Sequence, residues 1–202
     1  MPQRRETIPN AFLTGPRVYL RGAVPEDAAI CAPWFNDPEV NRYLATGRRP
    51  NSVEHSRELI TRAMNSDRDV MFAVIERSSG RYIGNAGLHR IHPINRSAMF
   101  GIVIGVPALW HRGYGTEVTA LVTAYAFSRL NLNRVELEVV AANARAQQIY
   151  ERVGYRVDGT RRQAMYVEGC YEDVTLMAIL RAEWEAPRSA AGARTPARRA
   201  RR

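Results

Sequence analysis

The chain has 202 residues, of which 46% are hydrophobic and 24% charged, a composition typical of a soluble chain with one main core. All 29 basic residues are arginine, and the absence of lysine excludes a lysine-dependent phosphate-binding loop, Schiff-base catalysis and kinase-type phosphoryl transfer. Six of the nine excess positive charges lie in residues 186–202, so most of the net charge belongs to a tail.

The composition divides the chain into three parts. Residues 1–15 predict an N-terminal arm, residues 16–185 a single domain, and residues 186–202 a disordered, arginine-rich tail without large apolar side chains. We expect a cytoplasmic protein, because there is neither a membrane-spanning apolar run nor a signal-peptide core. Cys31 and Cys170 have no CxxC partner and the histidines lack metal-ligand spacing, so we expect neither disulfides nor a metal site.

The N-terminal half alternates between strand and helix patterns. Alternating apolar residues indicate strands, and Pro, Ser or acidic residues in a first turn indicate helix starts. The predicted elements are a strand at 17–21, a helix at 25–35, a helical turn or two at 38–44, a helix at 52–65, a hairpin of strands 70–76 and 81–89, and a strand at 97–106. Residues 100–106 are apolar on both faces, which predicts a strand in the interior of a sheet.

The C-terminal half predicts longer helices between strands. The predicted elements are a helix from Gly113 to about residue 130, a strand at 134–140, a helix at 143–153 capped by Asn143 and ended by Gly154, and strands at 155–166 and 171–180. This order favours a mixed α/β sheet over strict alternation of strand and helix.

The most informative segment is GIVIGVPALWHRGYGT, residues 101–116, in which a strand enters a glycine-containing loop before a long helix. Gly113 and Gly115 would let backbone N–H groups approach a ligand, and the helix N-terminus adds partial positive charge. The segment therefore fits an anion site, best a diphosphate site. A plain tight turn explains the glycines equally well, and Arg112 is equally a solvated cation.

A second segment, NARAQQIYERVGY at 143–155, combines a helix cap with a tyrosine. Asn143 caps the helix, a role that leaves it able to contact a ligand. Tyr150 lies two turns further along the same helix face. It is either an ordinary core residue with its hydroxyl at the rim or a proton donor.

In this order and spacing, WHRGYGTE, RVELEV and NARAQQIYERVGY resemble the GCN5-related N-acetyltransferase (GNAT) superfamily. The finer resemblance is to its RimJ/RimL-like branch, the ribosomal-protein N-terminal acetyltransferases, and residues 131–180 are also similar to bacterial spermidine acetyltransferases. The resemblance covers about residues 16–184. It implies an α/β (α+β) fold with a mixed, mostly antiparallel sheet of six to seven strands, splayed in the middle, with helices on both faces.

The resemblance also implies acetyl-CoA as cofactor, with the pantetheine arm in the gap between two splayed strands. It implies these ligand contacts: backbone of Ile102, Val103 and Ile104 for pantetheine, the segment His111, Arg112, Gly113, Tyr114, Gly115 and Thr116 for the diphosphate, Asn143 for the pantetheine arm, and Tyr150 beside the thioester sulfur. Two positions depart from the family pattern. Trp110 stands where Gln or Arg is common, and Ala146 where a small hydroxyl residue is common.

The chemistry requires an amine that has lost its proton and a donor for the leaving thiolate. Glu136 and Glu138 share one face of the strand at 134–140, and we favour Glu138 as base or water anchor because it lies nearer Asn143. Two solvated acids, or a water acting as base, explain the pattern as well, and Glu117 fits a helix-dipole role better. Tyr150 is the predicted acid, and a backbone N–H near Ile104 the predicted oxyanion donor.

The acceptor implied by the RimJ/RimL-like resemblance is a protein or peptide N-terminal amine. The alternative is a polyamine or other small amine, which would be held by carboxylates from the set Glu26, Asp27, Asp37, Glu39, Glu54 and Glu58. Other classes stay open: a nucleic-acid- or ribosome-associated protein, or an acyl-CoA sensor without turnover. Nucleic acid is not the expected main partner, because the basic tail lacks interleaved aromatic residues. Exposed strand edges make a homodimer reasonable.

Overall fold

A computed structural model describes residues 10–45 and 48–186. The predicted tail, apart from Ala186, and the first nine residues of the predicted arm lie outside the described residues. The strands are β1 (Leu13–Thr14), β2 (Val18–Gly22), β3 (Val70–Glu76), β4 (Tyr82–His92), β5 (Ser97–Ile104), β6 (Arg134–Val140), β7 (Arg156–Val167) and β8 (Cys170–Leu180). The helices are α1 (Ala28–Asn36), α2 (Pro38–Asn41), α3 (Val53–Met64), α4 (Tyr114–Ser128), α5 (Ala144–Val153) and α6 (Arg181–Glu185).

The predicted elements are confirmed with small shifts at their ends, because their caps form as expected. The Ser52 hydroxyl accepts from the His55 N–H at 3.0 Å and starts α3. The Asn143 side chain accepts from the Ala146 N–H at 3.1 Å, and α5 ends at Gly154, whose φ is 114°. Two short elements were not predicted, the strand β1 and the terminal helix α6.

The eight strands form one sheet in the order β1-β2-β3-β4-β5-β6-β8-β7. The predicted number was six to seven, and the difference comes from the two-residue strand β1, which pairs with β2 at Leu13 and Leu20. The Phe12 N–H also donates to the Leu20 carbonyl at 2.8 Å. The predicted arm at 1–15 therefore ends too late, since its last residues already belong to the sheet.

Helices cover both faces of the sheet, as the resemblance implied. One face packs against α4 and α5 through a core that includes Val118 and Val153. The other face packs against α1 and α3 through a smaller core that includes Cys31 and Ile60. The sheet therefore lies between two helical layers.

The sheet opens between β5 and β6, the one parallel pair among the strands of residues 10–45 and 48–186. These strands are in register only from Ser97 to Met99, opposite Arg134 to Glu136, and they diverge after that point. Ile102, Val103 and Ile104 are therefore half-buried, although the strand was predicted to be enclosed on both faces. The opening leaves a gap whose walls are the second half of β5 and the second half of β6.

Candidate active site

The gap between β5 and β6 exposes unpaired backbone groups. The Gly105 N–H donates to the Ile83 carbonyl at 2.9 Å, which fixes the side of β5 that bonds to β4. Because alternate residues of a strand bond to opposite neighbours, the N–H groups of Ile102 and Ile104 point toward β6, while Val103 pairs with Asn85 of β4. An extended ligand placed in the gap can pair with Ile102 and Ile104 as an added strand would.

Trp110 fixes the end of β5 at this gap. Its indole N–H donates to the Ile104 carbonyl at 2.9 Å, so that carbonyl is already paired. The guanidinium of Arg145 lies over the Trp110 ring, 5.4 Å from its centroid, and joins the loop after β5 to the first turn of α5. The aromatic residue at this position therefore has a structural role in the site.

The segment 111–116 presents free N–H groups at the start of α4. None of the backbone N–H groups of these residues finds an acceptor among residues 10–45 and 48–186. His111 has a φ of 63° and Gly113 a φ of 83°, and such left-handed residues turn successive N–H groups toward one concave side. With the partial positive charge of the α4 N-terminus, the geometry of this segment suits the binding of an anion.

The side chains of this segment differ in their roles. His111 and Arg112 are exposed. The Tyr114 ring is buried, and its hydroxyl donates to Glu76 on β3, a contact that raises the pKa of Tyr114. At Gly115 a Cβ would lie 3.2 Å from Ile149 Cδ1, so this glycine serves the close packing of α4 on α5. Its expected role in close approach to a ligand is thus shared with a packing role.

Tyr150 lies in the core beside two other aromatic rings. Its ring centroid is 6.3 Å from Phe100 and 6.0 Å from Tyr155. Its hydroxyl has no hydrogen-bond partner in the described part of the chain, whereas the Tyr155 hydroxyl bonds to Thr123 Oγ1 at 2.9 Å. Burial raises the pKa of Tyr150 to about 12, so the hydroxyl stays protonated and available as a donor.

The Asn143 side chain can still donate a hydrogen bond after capping α5. Its side-chain oxygen accepts from Ala146, and its side-chain NH₂ finds no acceptor within the described ranges. The Asn143 backbone N–H donates to the Val140 carbonyl at 2.8 Å, which fixes the cap directly after β6. Asn143 thus lies at the end of the strand that borders the gap and has a donor free for a ligand.

The two acids of β6 are both paired with arginines. Val135, Leu137 and Val139 of β6 are buried while Glu136 and Glu138 lie on the other face, as the alternation predicted. Glu138 accepts from Arg161, and Glu136 from Arg134 at 2.9 Å.

Glu117, for which the sequence favours a helix-dipole role, is also paired. It accepts from the Arg17 guanidinium at 2.8 Å, from the backbone N–H of Arg17 and from that of Val18, the first residue of β2. This contact could not be predicted from the sequence, because Arg17 lies 100 residues before Glu117 and its local pattern indicates only the start of a strand.

A second contact that the sequence did not reveal places Trp34 of α1 against the chain after β5. A Cβ on Gly105 would lie 1.9 Å from Trp34 Cδ2, so only glycine allows this approach. The Trp34 ring also packs on Tyr82, with centroids 4.9 Å apart. The first helix thereby supports the strand that carries the free N–H groups of the gap.

Two kinds of feature are missing from the part of the chain that the structure describes. No helix there is long and apolar enough to cross a membrane. No group of three or more His, Cys, Asp or Glu side chains there could hold a metal ion.

A sheet opened at a parallel strand pair, followed by a helix N-terminus with free N–H groups, can hold an extended ligand that carries a diphosphate. The family model described as acetyltransferase (GNAT) domain matches residues 17–156, and the chain belongs to this family. It is therefore a GNAT N-acetyltransferase, and acetyl-CoA is its cosubstrate.

The chain is similar to acetyltransferases with different acceptors. It is 30% identical over 157 residues to the spermidine N(1)-acetyltransferase of Vibrio cholerae, covering 77% of this chain and 82% of the relative. It is 28% identical over 173 residues to the Putative ribosomal N-acetyltransferase YdaF of Bacillus subtilis, covering 83% and 93% of the two chains.

A solved structure gives the same picture of the fold. The Vibrio cholerae spermidine N-acetyltransferase, solved in complex with CoA and spermine, superposes with a TM-score of 0.77 at 25% identity, covering 84% of this chain and 99% of the other.

Proposed function

We propose that the protein transfers the acetyl group of acetyl-CoA to the N-terminal α-amine of a protein or peptide. The observation that carries this proposal is the pairing of acids beside the gap: Glu138 with Arg161, and Glu136 with Arg134. A polyamine carries several positive charges and is best held by carboxylates that have no cationic partner. An N-terminal amine brings one charge at most and needs no such cluster.

The acids of the N-terminal helices point the same way. Asp27 is held by both guanidinium nitrogens of Arg21, at 2.8 and 2.6 Å, and is nearly inaccessible. Asp37 caps α2 by accepting from the Glu39 N–H at 2.8 Å, and Glu54 pairs with Arg57. Three of the six acids considered for a polyamine site are thus engaged in local structure. Residues 10–186 hold 21 arginines against 19 acids, so this region has no excess negative charge.

The second candidate is a polyamine N-acetyltransferase. It is supported by the similarity to the Vibrio cholerae enzyme, whose structure contains spermine. Glu26, Glu39 and Glu58 would then have to supply most of the charge recognition, because the paired acids already share their charge with an arginine.

For acetyl-CoA binding we infer a path that follows the free donors. The pantetheine arm pairs with the N–H group of Ile102 and with the side-chain NH₂ of Asn143. The diphosphate lies on the N–H groups of residues 111–116. Tyr150 faces the thioester end of this path, and the Ile104 N–H is the donor nearest the carbonyl that becomes negatively charged.

Tyr150 is proposed to assist the departure of the thiolate by donating a hydrogen bond. An ordinary thiol has a pKa of about 8.5, so complete proton transfer from a tyrosine with a pKa near 12 is uphill. The raised pKa therefore favours a hydrogen bond to the developing negative charge over full transfer. The hydroxyl is suited to this role because it forms no hydrogen bond with any group of the described residues.

The proton of the attacking amine is proposed to leave through Glu138 or a water bound to it. Glu138 is exposed beside the gap and shares its carboxylate with Arg161. The guanidinium occupies one oxygen and leaves the other for the amine or a water.

The test measures thiol release from acetyl-CoA with a lysine-free peptide that has a free N-terminus. The same peptide with an acetylated N-terminus is the control, and spermidine is the competing acceptor. We expect thiol release with the free peptide and none with the acetylated peptide. The kcat/KM for spermidine should be lower than that for the free peptide by about tenfold or more. A higher kcat/KM for spermidine would establish the second candidate, and no release with any amine would indicate an acyl-CoA sensor.

A further inference from the structure

Arg17 connects the start of β2 to the loop that precedes α4. Its Nε donates to Glu117 Oε2 at 2.8 Å, one terminal nitrogen donates to the Arg112 carbonyl, and the other donates to the Gly113 carbonyl at 3.2 Å. The guanidinium also lies 5.5 Å from the centroid of the Tyr114 ring. One side chain therefore holds two successive peptide groups and the first turn of the helix.

The two carbonyl contacts help to fix the direction of the N–H groups in the segment 111–116, together with the Glu117 N–H, which also donates to the Gly113 carbonyl at 3.2 Å. The peptide bonds of the described residues are all trans, so each N–H points opposite to the carbonyl of the preceding residue. With the Arg112 and Gly113 carbonyls turned toward Arg17, the N–H groups of Gly113 and Tyr114 point to the opposite side. These are two of the N–H groups that lack an acceptor among the described residues.

Arg17 also neutralises the carboxylate closest to this segment in sequence. Glu117 lies in the first turn of α4, where its charge would repel a diphosphate bound at the helix N-terminus. The carboxylate is largely buried and accepts from the Arg17 guanidinium and from the backbone N–H groups of Arg17 and Val18 at 2.8 and 3.1 Å. The ion pair keeps that charge engaged on the side away from the free N–H groups.

Gly113 makes the arrangement sterically possible. Its φ of 83° favours glycine, and a Cβ at this position would lie 2.9 Å from both terminal nitrogens of Arg17. The glycine is therefore matched to the guanidinium as well as to the turn.

We propose that Arg17 is a positioning residue for acetyl-CoA, which orients the N–H groups of Gly113 and Tyr114 toward the diphosphate and compensates Glu117. The proposal rests on the proposed placement of the diphosphate at residues 111–116. It concerns CoA affinity alone and is independent of the acceptor.

Arg181 provides a matched control at the other end of the same helix. It donates to the carbonyls of Leu132 and Phe127, lies 5.7 Å from the Phe127 ring centroid and pairs with Glu185 at 3.1 Å. Arg17 and Arg181 thus make the same kinds of contact, but only Arg17 lies beside the segment 111–116. Losing either should lower the melting temperature by a similar amount.

The experiment measures the dissociation constants of CoA and of pantetheine, which lacks the nucleotide and its diphosphate, by calorimetry. We expect Arg17→Gln to weaken CoA roughly tenfold, Arg17→Lys to weaken it less, and Arg181→Gln to change it less than about twofold. Pantetheine affinity should change less than about twofold in all three variants, because it contacts the strand gap. Adding Glu117→Gln to Arg17→Gln should restore part of the CoA affinity.

Two results would overturn the role of Arg17: a CoA affinity lowered equally by Arg17→Gln and Arg181→Gln, or a pantetheine affinity that falls as much as that of CoA. Neither result would contradict acetyl transfer by the wild-type protein. If the wild-type protein fails to bind CoA, the proposed function and the role of Arg17 are refuted together. If Arg17→Gln fails to fold, the CoA affinity of Arg17→Lys, which keeps the charge, is compared with that of the wild type instead.

Discussion

Tyr150 and Tyr155 form a matched pair for separating catalysis from stability. Their rings lie 6.0 Å apart in the same core, and both are buried. The Tyr155 hydroxyl bonds to Thr123 at 2.9 Å, whereas the Tyr150 hydroxyl has no partner within the described residues. Replacing each by phenylalanine removes one oxygen from the same environment and should have opposite consequences.

The expected magnitudes follow from these contacts. Tyr150→Phe breaks no intramolecular hydrogen bond, so the free energy of unfolding should change by less than about 0.5 kcal/mol. It removes the proposed donor to the thiolate, which should lower kcat by roughly 10²–10³-fold with CoA affinity unchanged. Tyr155→Phe leaves the buried Thr123 hydroxyl unpaired and should cost about 1–3 kcal/mol of stability, with kcat within about twofold of wild type.

The assay combines denaturant unfolding, CoA calorimetry and the pH dependence of kcat. Because burial raises the pKa of Tyr150 to about 12, kcat should show no loss from tyrosine ionisation near pH 10, where an ordinary tyrosine ionises. Equal kcat in wild type and Tyr150→Phe would refute the donor role. A loss of stability in Tyr150→Phe as large as in Tyr155→Phe would refute the assignment of a free hydroxyl.

Two further predictions test the proposed base and the support of β5. Glu138→Gln should lower kcat by about a hundredfold, whereas Glu136→Gln, on the same strand face, should leave kcat unchanged. Equal kcat values in the two variants would exclude Glu138 as the base. Gly105→Ala places a Cβ 1.9 Å from Trp34 and should lower the free energy of unfolding by about 1–3 kcal/mol, measured with denaturant. Adding Trp34→Leu should restore part of this stability. Unchanged stability in Gly105→Ala would contradict the close packing.

The elements of the fold could be predicted because their signals are local. The strands Val70–Glu76 and Arg134–Val140 have the predicted bounds. Apolar and polar residues alternate along Arg134–Val140, and Val70–Glu76 is a continuous apolar run that ends at an acid. The strand β1 has only two residues and is defined by its partner β2, so a local pattern contains too little information to reveal it.

The candidate site was predictable only in part, for the same reason. The segment 111–116 and the helix cap Asn143 have local signatures in glycine spacing and cap chemistry, and the family resemblance added the role of each. Contacts between distant segments have none. Arg17 and Glu117, Tyr114 and Glu76, and Glu138 and Arg161 meet only in the folded chain, and these pairs decide which charges are free for a ligand.

The absence of lysine changes what the cations of this protein can do. A guanidinium presents donors in a planar fork, so Arg17 contacts a carboxylate and two carbonyls at once, and Arg181 does the same at the opposite end of α4. A lysine ammonium could not satisfy these acceptors in one plane. The absence of lysine also matters for an enzyme that acetylates amines. The chain has no side-chain ε-amine that could react with its own acetyl-CoA. In this chain, self-acetylation of an amine is restricted to the N-terminus, so every other amine acetylated in the assay must come from the acceptor.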